Sequence, residues 1–450
     1  MQNERSSFTG KIGFVLAAAG SAVGLGNIWR FPYLAAKYGG GIFLLTYLVL
    51  AVTFGFTLMV TEIAIGRKTG LSAIGAFKKL NNKFSFIGWL CALVPMIILP
   101  YYSVIGGWVT KYLYTFITGP GRAVEEGMGF FNQFVSQPIE PLLWFLVFLG
   151  ITAVVVFLGV EKGVEKVSKI MMPILLILSI VIAIYTLFLP GAMEGVRYYF
   201  MPDFSKFSVE LVLGAMGQLF YSMSLAMGIM ITYGSYMKKD VSIESATRQI
   251  EFFDTGIAFL AGFMIVPATF ALSGGGQLDQ GPGLMFGTLP QVFARMLGGR
   301  FIGSLFFLLV LFAALTSSIS LMETVVSIFQ DKLHTSRPVS CTVVFLGSLL
   351  LGVPSSLGNG LWASILILGK DILSFFDFIS NSVMMPVVAF LTCVFAGYVL
   401  KPEAIIREVE LGAIFRSKRL YTVVLKYVAP VCILLILLTS ILETLGIISI

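Results

Sequence analysis

Long apolar stretches alternate with short polar connectors along this 450-residue chain. A helix that crosses a bilayer needs roughly 20 mostly apolar residues, and eleven stretches reach or approach that length. The predicted spans cover residues 11–36, 41–66, 86–117, 142–160, 167–189, 209–237, 245–272, 301–329, 339–353, 362–398 and 421–447. The pattern predicts an all-α polytopic membrane protein, with residues 1–450 forming a single transmembrane domain.

The first and sixth spans carry small and hydroxyl-bearing residues in their middle. Residues 20–27 read Gly-Ser-Ala-Val-Gly-Leu-Gly-Asn, and residues 222–228 read Ser-Met-Ser-Leu-Ala-Met-Gly. Such residues either allow close helix packing or interrupt the helix, and an interruption at bilayer depth must face a ligand, an ion or water. Because the two spans lie five apart, we favour interruption, which at matching positions marks a transporter built from inverted repeats. The repeats would cover 11–189 and 209–398, with 421–447 as an additional helix.

The composition supports a membrane protein, since 57% of the residues are hydrophobic and only 12% are charged. A typical soluble domain has about 25% charged residues, so soluble enzymes, secreted modules and disordered chains are excluded. The net charge of +7 does not indicate a nucleic-acid partner, because the basic residues form short clusters between the apolar runs. Lys and Arg residues accumulate in cytoplasmic connectors, which predicts a cytoplasmic N-terminus and, with eleven spans, an external C-terminus.

Three carboxylates lie inside predicted spans, namely those of Glu62, Asp254 and Glu323. The basic residue Arg30 follows the interruption of the first span. Ionisable groups at bilayer depth are costly and usually functional. For Glu62 an alternative is a span-end residue beside Arg67. A buried carboxylate must be paired, protonated or bound to a cation, and a hard cation such as sodium prefers oxygen ligands.

The eighth span contains the adjacent hydroxyl residues Thr316 and Ser317. Hydroxyl groups within a helix usually bond to a carbonyl one turn earlier, which is one interpretation. In the other, these two hydroxyls and the carbonyl of Ala313 form half of a sodium shell.

Residues 20–32, which read Gly-Ser-Ala-Val-Gly-Leu-Gly-Asn-Ile-Trp-Arg-Phe-Pro, resemble the first-span signature of the neurotransmitter:sodium symporter family. Further landmarks follow in the expected order, namely Gly39-Gly40-Gly41, Gly217-Gln218, Ile231-Thr232-Tyr233-Gly234-Ser235-Tyr236 and Leu315-Thr316-Ser317. The eleven-span count is similar to that of the shorter bacterial members, which are amino-acid transporters. The resemblance implies two five-helix inverted repeats plus one helix, spans 1 and 6 broken at the midplane, and location in a bacterial inner membrane.

The resemblance also implies two sodium sites and no organic cofactor. The first sodium ion would be held by the substrate carboxylate together with Ala22, Asn27, Ser222 and Asp254. The second would be held by Gly20, Val23, Ala313, Thr316 and Ser317. Many family members have asparagine at the position of Asp254 and need chloride, so the carboxylate of this chain predicts chloride-independent transport.

The substrate pocket implied by the resemblance is lined by Ser21, Ala22, Leu25, Gly26, Ile98, Tyr102, Tyr221, Ser222, Ser224, Met227, Ser317 and Leu321. Monoamine carriers of the family have an aspartate where this chain has Gly24, which implies that the substrate brings its own carboxylate. The apolar side chains among the lining residues favour a leucine-like or aromatic α-amino acid.

Gates are implied on both sides of this pocket. The resemblance assigns Arg30 and Asp377 to the extracellular gate, and Arg5 and Asp331, helped by Tyr236, to the intracellular one. Exposed charge pairs suit this task because they contribute only about 0–1 kcal/mol and break easily.

The predicted function is therefore sodium-coupled import of a hydrophobic or aromatic amino acid by alternating access, with the lipid bilayer as the surroundings. One alternative is proton coupling through Asp254 or Glu323, and another is an ion channel. A membrane enzyme is disfavoured, because we find no nucleophile–base pair or metal cluster and the chain has a single histidine.

Overall fold

The structure is a computed structural model that describes residues 7–273 and 281–444, which are nearly all helical. Within these residues, nine helices are long and apolar enough to cross a membrane. A further span, span 1, is a helix pair bent by 56°, Lys11–Ala22 and Gly26–Lys37. The predicted sixth span consists of two shorter helices, Val209–Ser222 and Ile229–Ser235. Counting this pair gives the eleven predicted spans.

The nine long helices confirm the predicted order of spans. They are Gly41–Thr69 (span 2), Asn82–Thr118 (span 3), Glu140–Phe157 (span 4), Val160–Leu187 (span 5), Ile243–Ala271 (span 7), Gly299–Leu333 (span 8), Arg337–Leu357 (span 9), Ile372–Val399 (span 10) and Lys418–Leu442 (span 11). Short helices connect them, namely Ala73–Leu80, Gly121–Glu125, Met128–Ser136, Ala192–Phe200, Gly283–Ala294 and Pro402–Val409.

The predicted start of span 10, at residue 362, is wrong. The helix begins at Ile372, because Asp371 caps it by accepting a hydrogen bond from the Ser374 N–H at 3.0 Å. The preceding apolar residues form turns. Hydropathy alone does not distinguish an apolar turn from an apolar helix, so the cap was the only local signal for this boundary.

Span 8 lies in the middle of the bundle and span 11 lies at its edge. The most apolar part of span 8 is 83% buried, whereas that of span 11 is 28% buried. Spans 3, 5 and 1 pack around span 8, and the helix Ile229–Ser235 of span 6 also contacts it. Both interrupted spans therefore face the interior. We call the end of the bundle that carries Phe8 and Tyr236 the N-terminal side, and the end that carries Arg30 and Asp377 the opposite side. The division into repeats 11–189 and 209–398 remains a prediction.

Candidate substrate and sodium sites

The break in span 1 lies at residues 23–25, inside the segment predicted from the sequence. The Asn27 Oδ1 accepts a hydrogen bond from the Gly24 N–H at 3.0 Å and closes the break. The carbonyls of Ser21 and Val23 both accept hydrogen bonds from the Ser317 hydroxyl, at 3.0 and 3.3 Å. The backbone groups freed by the break therefore find partners in the break itself and in span 8.

The break in span 6 covers residues 223–228 and includes two non-glycine residues in left-handed conformation. Ser224 has φ 52° and Ala226 has φ 60°, and such conformations cost of order 1–3 kcal/mol each. The Glu62 Oε1 accepts a hydrogen bond from the Ala226 N–H at 2.6 Å and so holds this backbone in place. Glu62 is thus a buried partner of the break, and its alternative interpretation as a span-end residue is wrong.

A small cavity of about 40 Å³ lies between the two breaks. All twelve residues predicted to bind substrate line it, and Gly24, Asn27 and Ile229 complete the lining. The hydroxyls of Ser21 and Ser224 face each other at 3.1 Å across the two spans. The structure therefore brings the predicted set together around one space, which combines backbone and hydroxyl groups with apolar side chains.

The predicted ligands of the first sodium ion meet beside this cavity. The Asn27 Nδ2 and the Ser222 hydroxyl each donate to the Asp254 Oδ1 at 2.7 Å, and Ala22 lines the cavity next to them. Asp254 is fully buried, and its Oδ2 has no hydrogen-bond partner. A buried carboxylate oxygen without a hydrogen-bond donor is costly. The oxygen atoms gathered here therefore fit the needs of a cation that prefers oxygen ligands.

The predicted ligands of the second sodium ion lie where span 8 packs on span 1. The Thr316 hydroxyl donates to the Ala313 carbonyl at 3.1 Å, which agrees with the ordinary helical interpretation. The Ser317 hydroxyl instead reaches across to Val23. Gly20 is adjacent to Thr316, because a Cβ atom on Gly20 would lie 3.1 Å from the Thr316 Cβ. All five predicted ligands therefore share this contact between the spans.

Sequence reasoning missed Tyr47 as a neighbour of the first sodium site. Its hydroxyl is buried beside Ser222 and Asp254 and interacts electrostatically with the Asp254 carboxylate. No sequence signal marked it, because tyrosines are common in membrane spans. Gln218, which belongs to a family landmark, donates from Nε2 to the Gly26 carbonyl at 2.9 Å and joins span 6 to span 1.

The predicted extracellular gate residues line a second, larger cavity on the opposite side. Arg30 and Asp377 make no ion pair within 4.0 Å; the Arg30 guanidinium instead lies over the Tyr221 ring, 5.7 Å from its centroid. Asp377 accepts hydrogen bonds from Asn381 at 2.7 Å and from Tyr101 at 3.2 Å. Tyr221 lines both cavities and separates them, so an aromatic side chain lies between the two cavities, and the predicted ion pair is not formed.

On the N-terminal side, Arg5 lies outside the described residues. Asp331 accepts a hydrogen bond from the Ser72 N–H at 2.7 Å. Tyr236, predicted to help that pair, donates its hydroxyl to Glu323 at 2.8 Å. Glu323 in turn pairs with Arg337 of span 9, a partner that the sequence did not indicate.

The comparison with known proteins decides the family. A family model described as "Sodium:neurotransmitter symporter family" matches residues 5–122 and 134–447. The chain belongs to this family. An uncharacterized sodium-dependent transporter of Haemophilus influenzae is 33% identical to this family member over 97% of this chain and 98% of its own length. The uncharacterized sodium-dependent transporter YhdH of Bacillus subtilis is 35% identical, with 96% of both chains covered.

The solved structures include a similar protein in complex with an amino acid. The crystal structure of MhsT in complex with L-phenylalanine superimposes with a TM-score of 0.87 at 38% identity, covering 97% of this chain and 100% of that one. The family and the fold predicted from the sequence are confirmed. The protein is a multi-pass membrane transporter and not an enzyme.

Proposed function

We propose that this transporter imports hydrophobic or aromatic α-amino acids by sodium-coupled symport with alternating access. The observation that carries the proposal is the central cavity, in which two helix breaks and the buried Asp254 meet around one space. Backbone groups, a carboxylate and apolar side chains are what an amino acid and a sodium ion would need together.

The substrate carboxylate would bind at the break of span 1. The second half of span 1 begins at this break, and anions are favoured at the start of a helix. The Leu25 N–H there donates a long hydrogen bond, 3.5 Å, to the Tyr102 hydroxyl, and a carboxylate would replace this weak contact. A Cβ atom on Gly24 would lie 2.8 Å from the Ser317 Oγ and 3.2 Å from the Tyr102 hydroxyl. A side chain at position 24 would therefore crowd these two hydroxyls, and because Gly24 carries no carboxylate, the negative charge would come from the substrate.

The substrate side chain would contact the apolar part of the lining, where Ile98, Met227 and Leu321 lie. Methionine is flexible and adapts to ligands of different shape. The apolar lining supports a hydrophobic or aromatic side chain, and the similar protein MhsT was solved with L-phenylalanine.

Coupling would arise because the substrate carboxylate completes the first sodium shell. Each ligand then binds more tightly when the other is present, and the effect is reciprocal. A second sodium ion would hold span 1 against span 8 near Thr316. Asp254 would supply the negative charge that chloride gives to other family members, which makes transport chloride-independent.

The N-terminal side would be cytoplasmic, because Lys and Arg residues concentrate in the connectors on that side. The membrane would be a bacterial inner membrane, as the resemblance to the shorter bacterial members implies, and two similar proteins come from bacteria. Proton coupling is the rival mechanism, and the pairing of Glu323 with Arg337 leaves Asp254 as its candidate site.

Uptake into proteoliposomes tests the proposal. A panel of radiolabelled amino acids is offered with an inward sodium gradient, with sodium replaced by potassium, and with an inward proton gradient alone. Sodium-dependent accumulation of phenylalanine, tyrosine or leucine, unchanged when chloride is replaced by gluconate, is the expected result. Accumulation driven by the proton gradient without sodium would favour the rival, and no accumulation of any amino acid would contradict the proposed substrate class.

A further inference from the structure

The start of the described chain is bound to span 5 by a buried carboxylate. The Glu165 side chain is 1% exposed and pairs with the Lys169 Nζ at 2.6 Å. It accepts hydrogen bonds from the Thr9 N–H at 2.9 Å and from the Thr9 hydroxyl. The Lys169 Nζ also donates to the Thr9 Oγ1 at 3.3 Å. These three residues form a closed set of polar contacts, which we call the Thr9 clamp.

Close backbone approaches fix the position of the clamp. A Cβ atom on Gly13 of span 1 would lie 2.1 Å from the Glu165 Oε1, so only glycine lets span 1 pack directly on this carboxylate. A Cβ atom on Gly163 would lie 2.0 Å from the carbonyl oxygen of Val155 in span 4. Glu165 is therefore held between two neighbouring spans, and its geometry is imposed by packing on both sides.

The clamp also reaches span 6 on the N-terminal side. The Lys238 Nζ donates to the Thr9 carbonyl at 3.2 Å, and the Phe8 N–H donates to the Tyr236 carbonyl at 3.2 Å. The Phe8 ring packs edge-on against Tyr233, with centroids 5.5 Å apart. Residues 8 and 9 thus contact the ends of spans 1, 5 and 6 that lie on the N-terminal side of the bundle.

Spans 1 and 5 meet again at the second candidate sodium site. A Cβ atom on Gly20 would lie 3.1 Å from the Thr316 Cβ and 3.4 Å from the Met172 Sδ. Met172 follows Glu165 by seven residues, which is about 10 Å along a helix. The clamp and the second sodium site, about 10 Å further along span 5, therefore both require span 1 to be packed in the same place against span 5.

We propose that Glu165 is a positioning residue that couples sodium retention to closure of the N-terminal side. The clamp holds span 1 on span 5 in the position where Gly20 and Val23 face span 8, so sodium and the clamp stabilise the same state. By reciprocity, loss of the clamp weakens sodium binding, and loss of sodium loosens the clamp. This inference rests on the proposed sodium coupling.

The test compares purified full-length variants in detergent, without any amino acid. Glu165→Gln keeps the side-chain volume but removes the charge and one acceptor, and Thr9→Val removes only the hydroxyl. Glu161→Gln is the matched control, because Glu161 is an exposed carboxylate in the same helical turn. Amide hydrogen exchange of peptides covering residues 7–14 is measured while sodium replaces potassium at constant ionic strength, since exchange reports local opening.

We expect sodium to protect residues 7–14 in the wild type and in Glu161→Gln at the same concentration. Glu165→Gln should need about tenfold more sodium for the same protection of residues 7–14. Charge-assisted hydrogen bonds are strong, so their loss makes the clamped state less populated, and the apparent sodium affinity falls in proportion to that population. The double variant with Thr9→Val should be no weaker than Glu165→Gln alone, because the two residues act through one set of contacts.

The outcomes separate the clamp from the proposed function. The clamp alone would be overturned if sodium protects residues 7–14 in the wild type and Glu165→Gln needs the same sodium concentration. It would also be overturned if the increases in sodium concentration caused by Glu165→Gln and Thr9→Val simply add in the double variant. A wild type whose exchange ignores sodium would also overturn the clamp, whereas the proposed sodium coupling is contradicted only if sodium-dependent uptake into proteoliposomes fails as well. If Glu165→Gln does not elute as a folded protein, Thr9→Val decides, because Thr9 is exposed and its hydroxyl contacts belong to the clamp.

Discussion

Asp254→Asn isolates the charge of the first sodium site from its shape. Asparagine has the same size as aspartate, and its oxygen can still accept the two hydrogen bonds that reach the Asp254 Oδ1 at 2.7 Å, from Asn27 and Ser222. The substitution therefore leaves the packing intact and removes one negative charge from a fully buried position.

The expected loss of affinity follows from that burial. Removing one partner of a buried ion pair costs about 3–5 kcal/mol, which corresponds to roughly 150- to 5,000-fold in affinity. We expect the sodium concentration for half-maximal substrate binding to rise by about this factor in chloride-free buffer. Chloride should recover part of the loss, because an anion could replace the missing charge near the buried hydroxyl of Tyr47.

The assay is equilibrium binding of radiolabelled phenylalanine, titrated with sodium in gluconate and in chloride. Asp203→Asn is the control, because this exposed carboxylate lies in the connector between spans 5 and 6. For the wild type and the control, the curve of phenylalanine binding against sodium concentration should be the same in gluconate and in chloride. An Asp254→Asn variant with unchanged sodium affinity in gluconate would refute the role of Asp254 as a charged ligand, and a loss that chloride does not reduce would refute the charge-replacement argument.

Three further variants test separate parts of the account. Gly24→Ala should abolish amino-acid binding without changing the thermal unfolding midpoint, since the added methyl group would lie 2.8 Å from a pocket hydroxyl. Gly256→Ala, which adds a methyl group in open space, is the control and should bind normally. Equal binding by both variants would exclude the proposed carboxylate position. Tyr102→Phe should weaken phenylalanine binding about fivefold, which is the contribution of a typical hydrogen bond. Competition by phenethylamine, which lacks the carboxylate, should be unchanged. An equal loss for both ligands would show that the Tyr102 hydroxyl does not contact the carboxylate. Glu323→Gln should lower the free energy of unfolding by about 3–5 kcal/mol, because it strands the charge of Arg337, and adding Arg337→Met should restore much of it; a double variant less stable than Glu323→Gln would contradict this.

The helix breaks could be predicted because the bilayer makes them costly. Glycine and serine in the middle of an apolar span leave backbone groups without water, so segments 20–27 and 222–228 needed a structural reason for being there. The structure places the breaks inside both segments and the pocket between them. The ends of the spans were less predictable, as the apolar turns before Ile372 show.

Long-range partners could not be predicted from the sequence. Arg67 binds Glu408 through Nε at 2.9 Å, across 341 residues of chain, and nothing local to either residue identifies the other. The same holds for Glu165 and Thr9, which are 156 residues apart. Such pairs depend on how spans pack, and a single sequence records only that a charge is buried.

The central claim is that an amino acid and sodium share one site, and equilibrium binding in the absence of any gradient tests it most directly. Binding of radiolabelled phenylalanine to the purified protein is measured over a range of sodium concentrations, with potassium keeping the ionic strength constant. We expect the dissociation constant to fall steeply as sodium rises, and bound phenylalanine to lower the sodium concentration needed for half-saturation. A dissociation constant that is the same in sodium and in potassium would contradict the account.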